Sequence, residues 1–468
     1  MKKYLIFTCA SIVLALFSLY AIYFCNLNTF TDIKLDSDVN IVLITIDTLR
    51  ADHLSCYGYP RKTSPNIDKI AEKGIIFKNS IAPSSWTAPS MVSLFTSVYP
   101  INHGVIHGFV RDDTVLRQNI FSDELTTLTE ILNTHGYTTF GVASNHHLSE
   151  KFGFARGFDY FKYLPSLPAQ FVNKAIYSWE SEIKRSDKFF LWIHYYDPHN
   201  PYAPRTPWIE HYTSKELTKK LKLYQKPMRS LEQLIPQLKK YPQALSNLIA
   251  LYDSEINYVD YFIGLLMQKF ELDKNTLIVI TSDHGEEFLE HGYLCHAHKL
   301  YQESIKIPLI IQFPNRTKKE TFEKHINLID IMPNILHILD INPPEHILGK
   351  SFWEKKGLLW WAKHKLLKSQ KINYNFSELD RNSILKTIMT SEWKYIYNYK
   401  DKTEQLYNIK ADPLESNNLI DKKTEQRNQL KEQLFKWAST AKKYPTQKKL
   451  FQLPPKEKKK LENLGYIQ

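Results

Sequence analysis

The chain has few cysteines and few glycines, and both shortages narrow the range of folds. Only four cysteines occur among 468 residues, and two of them, Cys9 and Cys25, fall in an apolar run near the N-terminus. The other two, Cys56 and Cys295, are too few for a disulfide framework, and isolated thiols usually fill buried space. Glycine is sparse at 14 residues, whereas tyrosine and phenylalanine number 28 and 25, which argues against a linker-rich or fibrous protein.

The sequence also lacks a nucleic-acid-binding motif, although its formal net charge is +12. A basic balance can attract nucleic acid, anionic lipid or an anionic substrate. The positive charge is spread along the chain, apart from Lys456 and the lysines at 458–460. We therefore expect a solvated basic face near the C-terminus and no nucleic-acid partner. The hydrophobic fraction of 43% is that of a globular protein long enough to bury a sizeable core.

An uncharged apolar run at residues 4–27 follows Lys2 and Lys3. Its length of about 24 residues suffices to cross a hydrocarbon core. Basic residues before the run and acidic residues after it, such as Asp32, predict a cytoplasmic N-terminus. A cleaved signal peptide is the alternative, but the run is long for one and no Ala-x-Ala site follows it. We therefore predict a single-pass membrane protein with residues 1–30 as anchor or signal segment and a periplasmic or otherwise extracytoplasmic catalytic domain.

Four apolar segments rich in β-branched residues each end at polar or ionisable residues and predict buried parallel strands. They are residues 39–46, 138–143, 189–194 and 276–281. Helical patterns lie between them at residues 66–73, 126–135 and 248–270. This alternation predicts an α/β domain with a large, mostly parallel or mixed sheet sandwiched by helices. Ligands bind beyond the carboxyl ends of the strands in such sheets, and the polar residues lie at those ends here.

The pattern changes from about residue 349 onward. Short strand patterns occur at residues 384–390, 393–399 and 405–409, and a helical pattern follows at 426–437. We predict a smaller C-terminal antiparallel sheet with a packing helix. The expected organisation is therefore a catalytic domain over residues 31–348 and a C-terminal α+β subdomain with a basic tail over residues 349–468.

Carboxylates directly follow two of the predicted strands. Asp47 follows the strand predicted at residues 39–46. Asp283, with His284 beside it, follows the strand predicted at residues 276–281. Either carboxylate alone could simply cap the turn after its strand. Together with the adjacent imidazole they supply two oxygen ligands and one nitrogen ligand for a divalent cation. We predict one bound metal ion, with Mn²⁺, Zn²⁺ and Ca²⁺ as candidates, and the imidazole ligand favours Mn²⁺ or Zn²⁺.

Thr87 stands at the predicted start of a helix, with Pro89 in the first turn. A helix N-terminus presents free N–H groups and the positive end of a dipole, which favour an anion such as sulfate or phosphate. The alternative is a capping threonine that contributes about 1 kcal/mol to stability. Both interpretations can hold, because a capping hydroxyl group at that point also faces the ligand.

In this order the segments resemble the sulfatase family of the alkaline phosphatase superfamily. That family begins with a strand and Asp, continues to a nucleophile motif Cys/Ser-x-Pro-x-Arg and closes its metal site with Asp-Asn/His-Gly. Further matching motifs run in order over residues 39–468 and include Tyr57-Gly58-Tyr59, Tyr99-Pro100-x-x-His103-Gly104, Asp197-Pro198-His199-x-Pro201-Tyr202, Glu404-Gln405-Leu406-Tyr407-Asn408 and Leu464-Gly465-Tyr466-Ile467. The resemblance implies an ester hydrolase with Thr87 in the position of the nucleophile and a divalent metal ion as cofactor.

Three positions depart from the family pattern. Sulfatases oxidise the nucleophile Cys or Ser to formylglycine, which the motif's Arg supports, but these positions here hold Thr87 and Met91. Thr48 stands where many sulfatases have a second metal-binding Asp. Because threonine is not converted by the known route, no formylglycine is expected. The site instead resembles the phosphotransferase branch of the superfamily, in which an unmodified Ser or Thr attacks directly and serves as a metal ligand.

The remaining catalytic candidates are histidines. His199 lies in a Pro-His-x-Pro loop and is predicted to bind a substrate oxygen or to act as general acid, with a structural role in a tight loop as the alternative. His296 and His298 lie where the family usually has a basic residue that contacts the ester oxygens. One of them, with a slight preference for His298, is expected to protonate the leaving group. Together with His199 they could instead hold a second metal ion.

Arg50, His103 and Lys299 are predicted to contact the substrate, although Arg50 could equally be a surface residue and His103 a structural one. The predicted function is hydrolysis or transfer of a sulfate, phosphate or phosphonate ester through Thr87. The substrate would be a small molecule, a glycan or a lipid head group. The alternative is a catalytically silent anion-binding protein that keeps the fold, and the intact set of metal ligands argues against it.

Overall fold

A computed structural model describes residues 35, 38–107, 110–112, 115–213, 225–353, 373–381, 383–451 and 459 of the chain. The strands within these residues are β1 Asn40–Ile46, β2 Ile75–Ile81, β3 Val110–Asp112, β4 Val115–Ile120, β5 Thr138–Ala143, β6 Tyr160–Tyr163, β7 Phe189–Tyr195, β8 Thr276–Ser282, β9 Glu287–Phe288, β10 Leu294–Cys295, β11 Lys306–Gln312, β12 Glu320–Asn327, β13 Asn375–Asp380, β14 Ile384–Met389, β15 Trp393–Asn398, β16 Glu404–Asn408 and β17 Gln447–Phe451.

The α-helices of the same residues are α1 Pro65–Glu72, α2 Thr87–Thr96, α3 Pro100–His103, α4 Leu128–Thr134, α5 Ala169–Tyr177, α6 Glu180–Arg185, α7 Met228–Glu232, α8 Ile235–Lys240, α9 Pro242–Phe270, α10 Gln302–Ile305, α11 Ile331–Ile338 and α12 Thr424–Thr440. Short 3₁₀ helices lie at Ala51–His53, Ser55–Tyr57, Glu150–Phe152, Trp208–His211 and Leu328–Asp330.

Eight strands form the central sheet, in the order β12-β2-β11-β8-β1-β7-β5-β6. Neighbouring strands pair in parallel except at β11, which runs antiparallel to both β2 and β8. The prediction of a large, mostly parallel sheet is therefore confirmed. β1, β5, β7 and β8 are the four strands expected from the sequence, and their bounds differ from the predicted ones by at most one residue at either end.

Both faces of this sheet are buried, and β1 shows how its sequence permits this. Ile41 and Leu43 point into the hydrophobic core on one face, whereas Val42 and Ile44 point into the core on the other. Helices α2, α4 and α11 cover the first face, and α1, α5 and α9 cover the second. Side chains alternate along a strand, so a strand between two cores must be apolar throughout. The sheet is therefore sandwiched by helices, as predicted.

A separate four-stranded sheet, in the order β13-β14-β15-β16, is antiparallel throughout. Helix α12 packs on it through Leu430 and Leu434, which share a core with Ile388. The ring of Trp437 on the same helix stacks on Phe376 with 4.2 Å between centroids. The predicted C-terminal antiparallel sheet with a packing helix is thus confirmed, whereas the domain boundary at residue 349 remains a prediction.

The prediction of a single-pass membrane protein with an extracytoplasmic catalytic domain is corrected. In the part of the chain that the structure describes, no helix combines the length and the apolar character needed to cross a membrane. Spanning a hydrocarbon core takes about 20 predominantly apolar residues in one helix. The apolar run at residues 4–27, on which the prediction rested, lies outside the described residues.

Candidate active site

The carboxyl ends of β8, β1, β7 and β5 lie side by side in the central sheet. The polar residues that follow these strands are therefore neighbours in space, although they are far apart in sequence. Asp283 and His284 follow β8, Asp47 follows β1, and Asn145 lies just beyond β5. This edge of the sheet is where ligands bind in parallel α/β folds.

Asp47, Asp283 and His284 bring three ligand atoms together. Nε2 of His284 lies 3.5 Å from Oδ1 of Asp47 and 3.5 Å from Oδ2 of Asp283. Both of these oxygens are buried and have no hydrogen-bond partner among the residues that the structure describes. Ligands about 2.0–2.2 Å from a divalent ion at octahedral or tetrahedral angles are separated by about 3.0–3.5 Å. The three residues therefore fit a divalent metal ion. Such an ion would bind the two carboxylate oxygens that lack a hydrogen-bond partner.

Backbone contacts fix the orientation of the His284 ring. Its Nδ1 donates to the carbonyl oxygen of Gly285 at 2.9 Å, which leaves the lone pair of Nε2 directed at the two carboxylates. The other oxygen of Asp283, Oδ1, accepts the backbone N–H groups of His284 and Thr48 at 2.9 and 3.2 Å. Gly285 is required here because a Cβ at that position would lie 1.9 Å from the carbonyl oxygen of Glu303.

The second oxygen of Asp47 is held by polar side chains from neighbouring strands. Oδ2 accepts a hydrogen bond from Nδ2 of Asn145 at 2.6 Å and lies 3.4 Å from Nε2 of His194. Burial alone would raise the pKa of Asp47, but the imidazoles of His199, His194 and His284 outweigh it and lower this pKa to about 2. For Asp283 the balance is opposite, because burial and the negative charge of Asp47 raise its pKa.

Thr87 is the first residue of α2, and its side chain faces this cluster. Its Oγ1 lies 3.3 Å from Nε2 of His284 and 3.3 Å from Nδ2 of Asn145. The preceding residue, Trp86, is the N-cap residue of α2; it is extended and makes no side-chain capping bond. The free N–H groups and positive dipole end of α2 therefore point to the region where Thr87 meets the carboxylates.

The two departures from the family pattern next to Thr87 have clear structural settings. Met91 is fully buried in the hydrophobic core beneath α2, so this position contributes no cation. Thr48 adopts a left-handed backbone conformation with φ 57°, which is costly for a β-branched residue. Its Oγ1 is buried and has no hydrogen-bond partner in the described part of the chain, while its carbonyl oxygen accepts from the hydroxyl group of Tyr252 at 2.7 Å. Such strain at strand ends is typical of functional sites.

His199 and His296 approach the same site from two other segments. The ring centroid of His296 lies 4.6 Å from that of His284 and 4.8 Å from that of His199. Nδ1 of His199 donates to the carbonyl oxygen of Asn200 at 2.5 Å. Burial lowers the pKa values of both His199 and His296. Three imidazoles therefore line one side of the site.

His296 is oriented by a buried carboxyl group. Its Nδ1 is hydrogen-bonded to Oε2 of Glu286 at 2.8 Å, and the other oxygen of Glu286 accepts from the hydroxyl group of Tyr202. Burial raises the pKa of Glu286 well above its usual range. The backbone after His296 is tied to the segment before Thr87, because the N–H of Ala297 donates to the carbonyl oxygen of Ser85 at 3.0 Å.

His298 and Lys299 lie against other partners. Nε2 of His298 is 3.0 Å from Oε1 of Glu232 on α7, and its ring stacks on Tyr293 with 5.4 Å between centroids. The ammonium group of Lys299 lies 5.2 Å from the centroid of the same Tyr293 ring. The structure thus brings His296, rather than His298, next to His284.

Arg50 is engaged within the protein. Its guanidinium group donates two hydrogen bonds to Asp52, at 2.9 and 2.7 Å. It also donates to Glu290 at 2.5 Å and to the carbonyl oxygen of Glu286 at 3.0 Å. Arg50 therefore fixes the loop after β8 to the loop after β1.

His103 supports the helix that carries Thr87. Nδ1 of His103 accepts the N–H of Val105 at 3.1 Å, and Nε2 lies 3.2 Å from the carbonyl oxygen of Pro89 and 3.0 Å from Oγ of Ser93. Burial lowers the pKa of His103 to about 3. Both ring nitrogens of the neutral imidazole make polar contacts, and those of Nε2 are with residues of α2. His103 therefore stabilises the position of α2.

The sequence pattern did not single out Asn145, His194 or Arg381. Asn145 contacts both Asp47 and Thr87, and His194 is the last but one residue of β7. Their position at the ends of predicted strands was a usable signal. Arg381 lies between β13 and β14, and its Cζ is 5.2 Å from the ring centroid of Trp86. No local pattern distinguishes Arg381, since its position depends on how the C-terminal sheet docks.

A mixed sheet of this strand order, with two carboxylates and an imidazole beyond its carboxyl edge, defines an ester hydrolase of the alkaline phosphatase-like fold. Within that class the chain belongs to the sulfatase family, whose model matches residues 39–341. A second model, described as N-sulphoglucosamine sulphohydrolase, C-terminal, matches residues 289–440. The resemblance expected from the sequence is therefore confirmed, and so is the assignment of the chain as a sulfatase-family hydrolase.

Individual relatives span most of the chain. The uncharacterized sulfatase YidJ of Escherichia coli K12 is 23% identical over 438 residues, which cover 82% of this chain and 83% of YidJ. An N-acetylglucosamine-6-O-sulfatase of Bacteroides thetaiotaomicron is 23% identical over 489 residues, with 82% and 83% covered. The structure of a phosphonate monoester hydrolase of Agrobacterium radiobacter superposes with a TM-score of 0.65 at 19% identity, covering 86% of this chain and 95% of that protein. Members of this family typically bind a divalent metal ion, in keeping with the candidate ligand set.

Proposed function

We propose that the protein is a metal-dependent hydrolase of sulfate, phosphate or phosphonate monoesters in which Thr87 is an unmodified nucleophile. The observation that carries this proposal is the position of the Thr87 hydroxyl group. Its oxygen lies 3.3 Å from Nε2 of His284, beside the orphaned oxygens of Asp47 and Asp283. A nucleophile adjacent to a ligand set for a cation, at a helix N-terminus, is the arrangement that attack on a tetrahedral anion requires.

Asp47, Asp283 and His284 would hold the ion, with Thr87 as a further ligand. When bound, a divalent ion supplies positive charge that lowers the pKa of the Thr87 hydroxyl group and offsets the charge of the ester. Asn145 contributes a hydrogen bond from Nδ2 to Thr87 Oγ1, at 3.3 Å, which stabilises the alkoxide and fixes its direction. The N–H groups at the start of α2 stabilise the non-bridging oxygens of the ester.

In the first step Thr87 Oγ1 forms a bond to the phosphorus or sulfur atom, and the bond from that atom to the alcohol oxygen breaks. The proton of Thr87 passes to water, and the leaving alcohol takes a proton from the protein. In the second step water attacks the phosphorus or sulfur atom and the bond to Oγ1 breaks. One proton of that water restores the Thr87 hydroxyl group and the inorganic anion leaves, while the protein takes back from water the proton that it gave to the alcohol.

His296 is the residue best suited to protonate the leaving group. With Glu286 protonated, as its raised pKa favours, its proton lies on the 2.8 Å hydrogen bond to Nδ1 of His296. Nε2 on the opposite side of the ring then carries the transferable hydrogen. Loss of that hydrogen to the leaving oxygen is compensated by transfer from Glu286 to Nδ1. His199, 4.8 Å from His296 between ring centroids, is suited to contact an ester oxygen.

We infer that the leaving alcohol belongs to a glycan. This inference rests on the similarity to an N-acetylglucosamine-6-O-sulfatase. The similarity to a phosphonate monoester hydrolase keeps phosphate and phosphonate among the ester groups to be assayed.

The test is a parallel assay of 4-nitrophenyl sulfate, 4-nitrophenyl phosphate, a phenylphosphonate monoester and N-acetylglucosamine 6-sulfate, each with added Mn²⁺, Zn²⁺ or Ca²⁺. Turnover of at least one ester that is lost on chelation, and lost in Thr87→Ala protein of unchanged melting temperature, is the expected result. Thr87→Val serves as a control that keeps the shape of the side chain and removes only the hydroxyl group. Full activity in Thr87→Ala contradicts the proposal, and a fully folded, metal-loaded protein without any turnover favours an anion-binding protein instead.

A further inference from the structure

The C-terminal sheet docks on the segment that leads to Thr87. β13 forms an isolated parallel bridge with this segment, between Glu378 and Ser84. The N–H of Glu378 donates to the carbonyl oxygen of Pro83 at 2.8 Å, and Oγ of Ser84 donates to the carbonyl oxygen of Glu378 at 2.7 Å. A third bond joins Oγ of Ser377 to the carbonyl oxygen of Ala82 at 2.6 Å. The approach to the nucleophile and the edge of the C-terminal sheet are therefore held as one unit.

From this bridge the segment after Ser84 and the segment after Glu378 run in the same direction. Thr87 comes three residues after Ser84, and Arg381 comes three residues after Glu378. The guanidinium carbon of Arg381 lies 5.2 Å from the centroid of the Trp86 ring, the residue directly before Thr87. A cation over an indole face is attracted by the ring quadrupole, which orders the Arg381 side chain beside the nucleophile.

Arg381 and His147 both lie against the ring of Trp86. Burial lowers the pKa of His147 well below its usual range, and the positive charge of Arg381 adds to this effect. The ring of His147 lies 5.4 Å from that of Trp86.

Arg381 differs from Arg50 in its exposure, and from both Arg50 and Arg205 in its position on the C-terminal sheet; Arg205 is partly buried, as Arg381 is. Arg50 is buried and bound to Asp52 and Glu290. Arg205 is bound to Asp197 and Glu255. Arg381 is only partly buried, on the turn between β13 and β14. Its position is therefore at the rim of the site, where the part of a substrate beyond the reacting ester would lie.

We infer that Arg381 binds a second anionic group of the substrate, so that the preferred ester carries another sulfate or a carboxylate near the reacting one. This inference rests on the proposed function, because it presupposes that the ester enters at Thr87. A guanidinium group pairs with sulfate or carboxylate through two parallel N–H bonds, which gives geometric selectivity as well as attraction. Arg381 is a specificity residue in this account, and the covalent step remains with Thr87.

A binding cycle on metal-loaded Thr87→Ala protein tests the inference without turnover. Glucosamine 6-O-sulfate and glucosamine 2-N,6-O-disulfate are titrated into this protein and into the same protein with Arg381→Ala or Arg381→Lys. The disulfated ligand is expected to bind more tightly to the protein with Arg381, and Arg381→Ala should weaken it by about tenfold or more, as for a charge-assisted bond. Binding of the monosulfated ligand should change by less than about twofold, and Arg381→Lys should restore part of the difference because it keeps the charge.

Arg427→Ala on α12, at a position that is partly buried like that of Arg381, is the matched control for removal of one positive charge from the C-terminal region. Equal weakening of both ligands by Arg381→Ala, or no preference for the disulfated ligand in the protein with Arg381, overturns the inference. These outcomes are separate from failure of the proposed function. Absence of ester turnover by the wild-type protein contradicts the role of Thr87, whereas the cycle reports only on which ligand charges Arg381 recognises.

Discussion

The hydroxyl oxygen of Thr87 lies 3.3 Å from Nε2 of His284, although 197 positions separate the two residues in the chain. Thr87 owes this position to the N-terminus of α2, and His284 owes its position to the carboxyl end of β8. The ring of His284 is turned toward Thr87 because Nδ1 is bound to the carbonyl oxygen of Gly285. The Thr87 hydroxyl group is thereby held beside the three candidate metal ligands.

Metal binding should stabilise the wild-type protein and not the Asp283→Asn variant. Without metal, the buried carboxyl group of Asp283 is disfavoured by burial and by Asp47, so its replacement by a neutral amide should leave the melting temperature unchanged or raised. At a metal concentration one hundred times Kd, the wild-type protein should gain about 2.7 kcal/mol of unfolding free energy. Thermal unfolding with chelator and with added Mn²⁺ or Zn²⁺ measures both effects. Asp273→Asn, at an exposed position, is the control, and an equal metal response in Asp283→Asn would contradict the ligand assignment.

Gly285→Ala should impair metal binding through the backbone. The added methyl group would lie 1.9 Å from the carbonyl oxygen of Glu303 and would disturb the 2.8 Å bond from the Gly285 N–H to Ser304. We expect a loss of about 1–3 kcal/mol of stability, as for other overpacked sites, and weaker metal binding because His284 is displaced. Isothermal titration with Mn²⁺ measures the second effect. Gly58→Ala is the comparison: its φ of 104° makes the substitution strained, but its methyl group meets no atom of the described residues within 4 Å, so it should lose stability and keep its metal affinity. Normal metal affinity in Gly285→Ala would refute the prediction.

Replacement of His296 should slow the release of poor leaving groups more than that of good ones. A general acid contributes about 10²–10⁴-fold when the leaving alcohol is basic and much less when it is 4-nitrophenol. His296→Gln should therefore lose at least about a hundredfold in kcat with sugar esters and far less with 4-nitrophenyl esters. His298→Gln should show a smaller, uniform effect, because its ring contacts Glu232. A leaving-group dependence in His298→Gln, and none in His296→Gln, would reverse the assignment.

His103 should make the protein less stable as the pH falls. Its pKa is lowered by burial from 6.5 to about 3 in the folded protein, so below pH 6.5 the unfolded chain binds a proton that the folded protein excludes. The stability from this group is present above pH 6.5 and decreases toward pH 3, by up to about 1.4 kcal/mol per pH unit. Urea unfolding at pH 7, 6 and 5 should show a smaller decrease for His103→Gln than for wild type. The exposed His135→Gln should follow the wild type, and parallel curves for all three proteins would count against the buried neutral His103.

The sequence predicted β1, β5, β7 and β8 of the central sheet, because these strands are apolar almost throughout and lie between two cores. It did not reveal β2, β6, β11 and β12, which are the other four strands of this sheet. The exposed edge strand β12 carries mostly polar residues, and Lys78 and Asn79 interrupt the apolar run of β2. An edge strand needs only one buried face, so the hydrophobic pattern of β12 is weak. The antiparallel direction of β11 could not be anticipated, because its neighbours along the chain do not indicate it.

At the site, the grouping of Asp47, Asp283, His284 and Thr87 could be anticipated because each residue follows a strand or begins a helix. The choice between His296 and His298 could not. Both Cys295 and Ala297 have positive φ values, 69° and 66°, so the backbone turns on either side of His296 in a way that residue types do not disclose. Arg381 is brought beside Trp86 by the docking of β13 on the segment before Thr87, which is a long-range contact without a local sequence signal.

The most direct measurement is the mass of the protein after brief exposure to a sulfate or phosphate ester and rapid acid quenching. A covalent intermediate predicts an increase of about 80 Da, and peptide mapping should locate it on Thr87. Comparison of the two esters identifies which group is transferred, and Thr87→Ala should carry no adduct. An adduct on another residue, or turnover of the same ester by Thr87→Ala, would contradict Thr87 as the nucleophile.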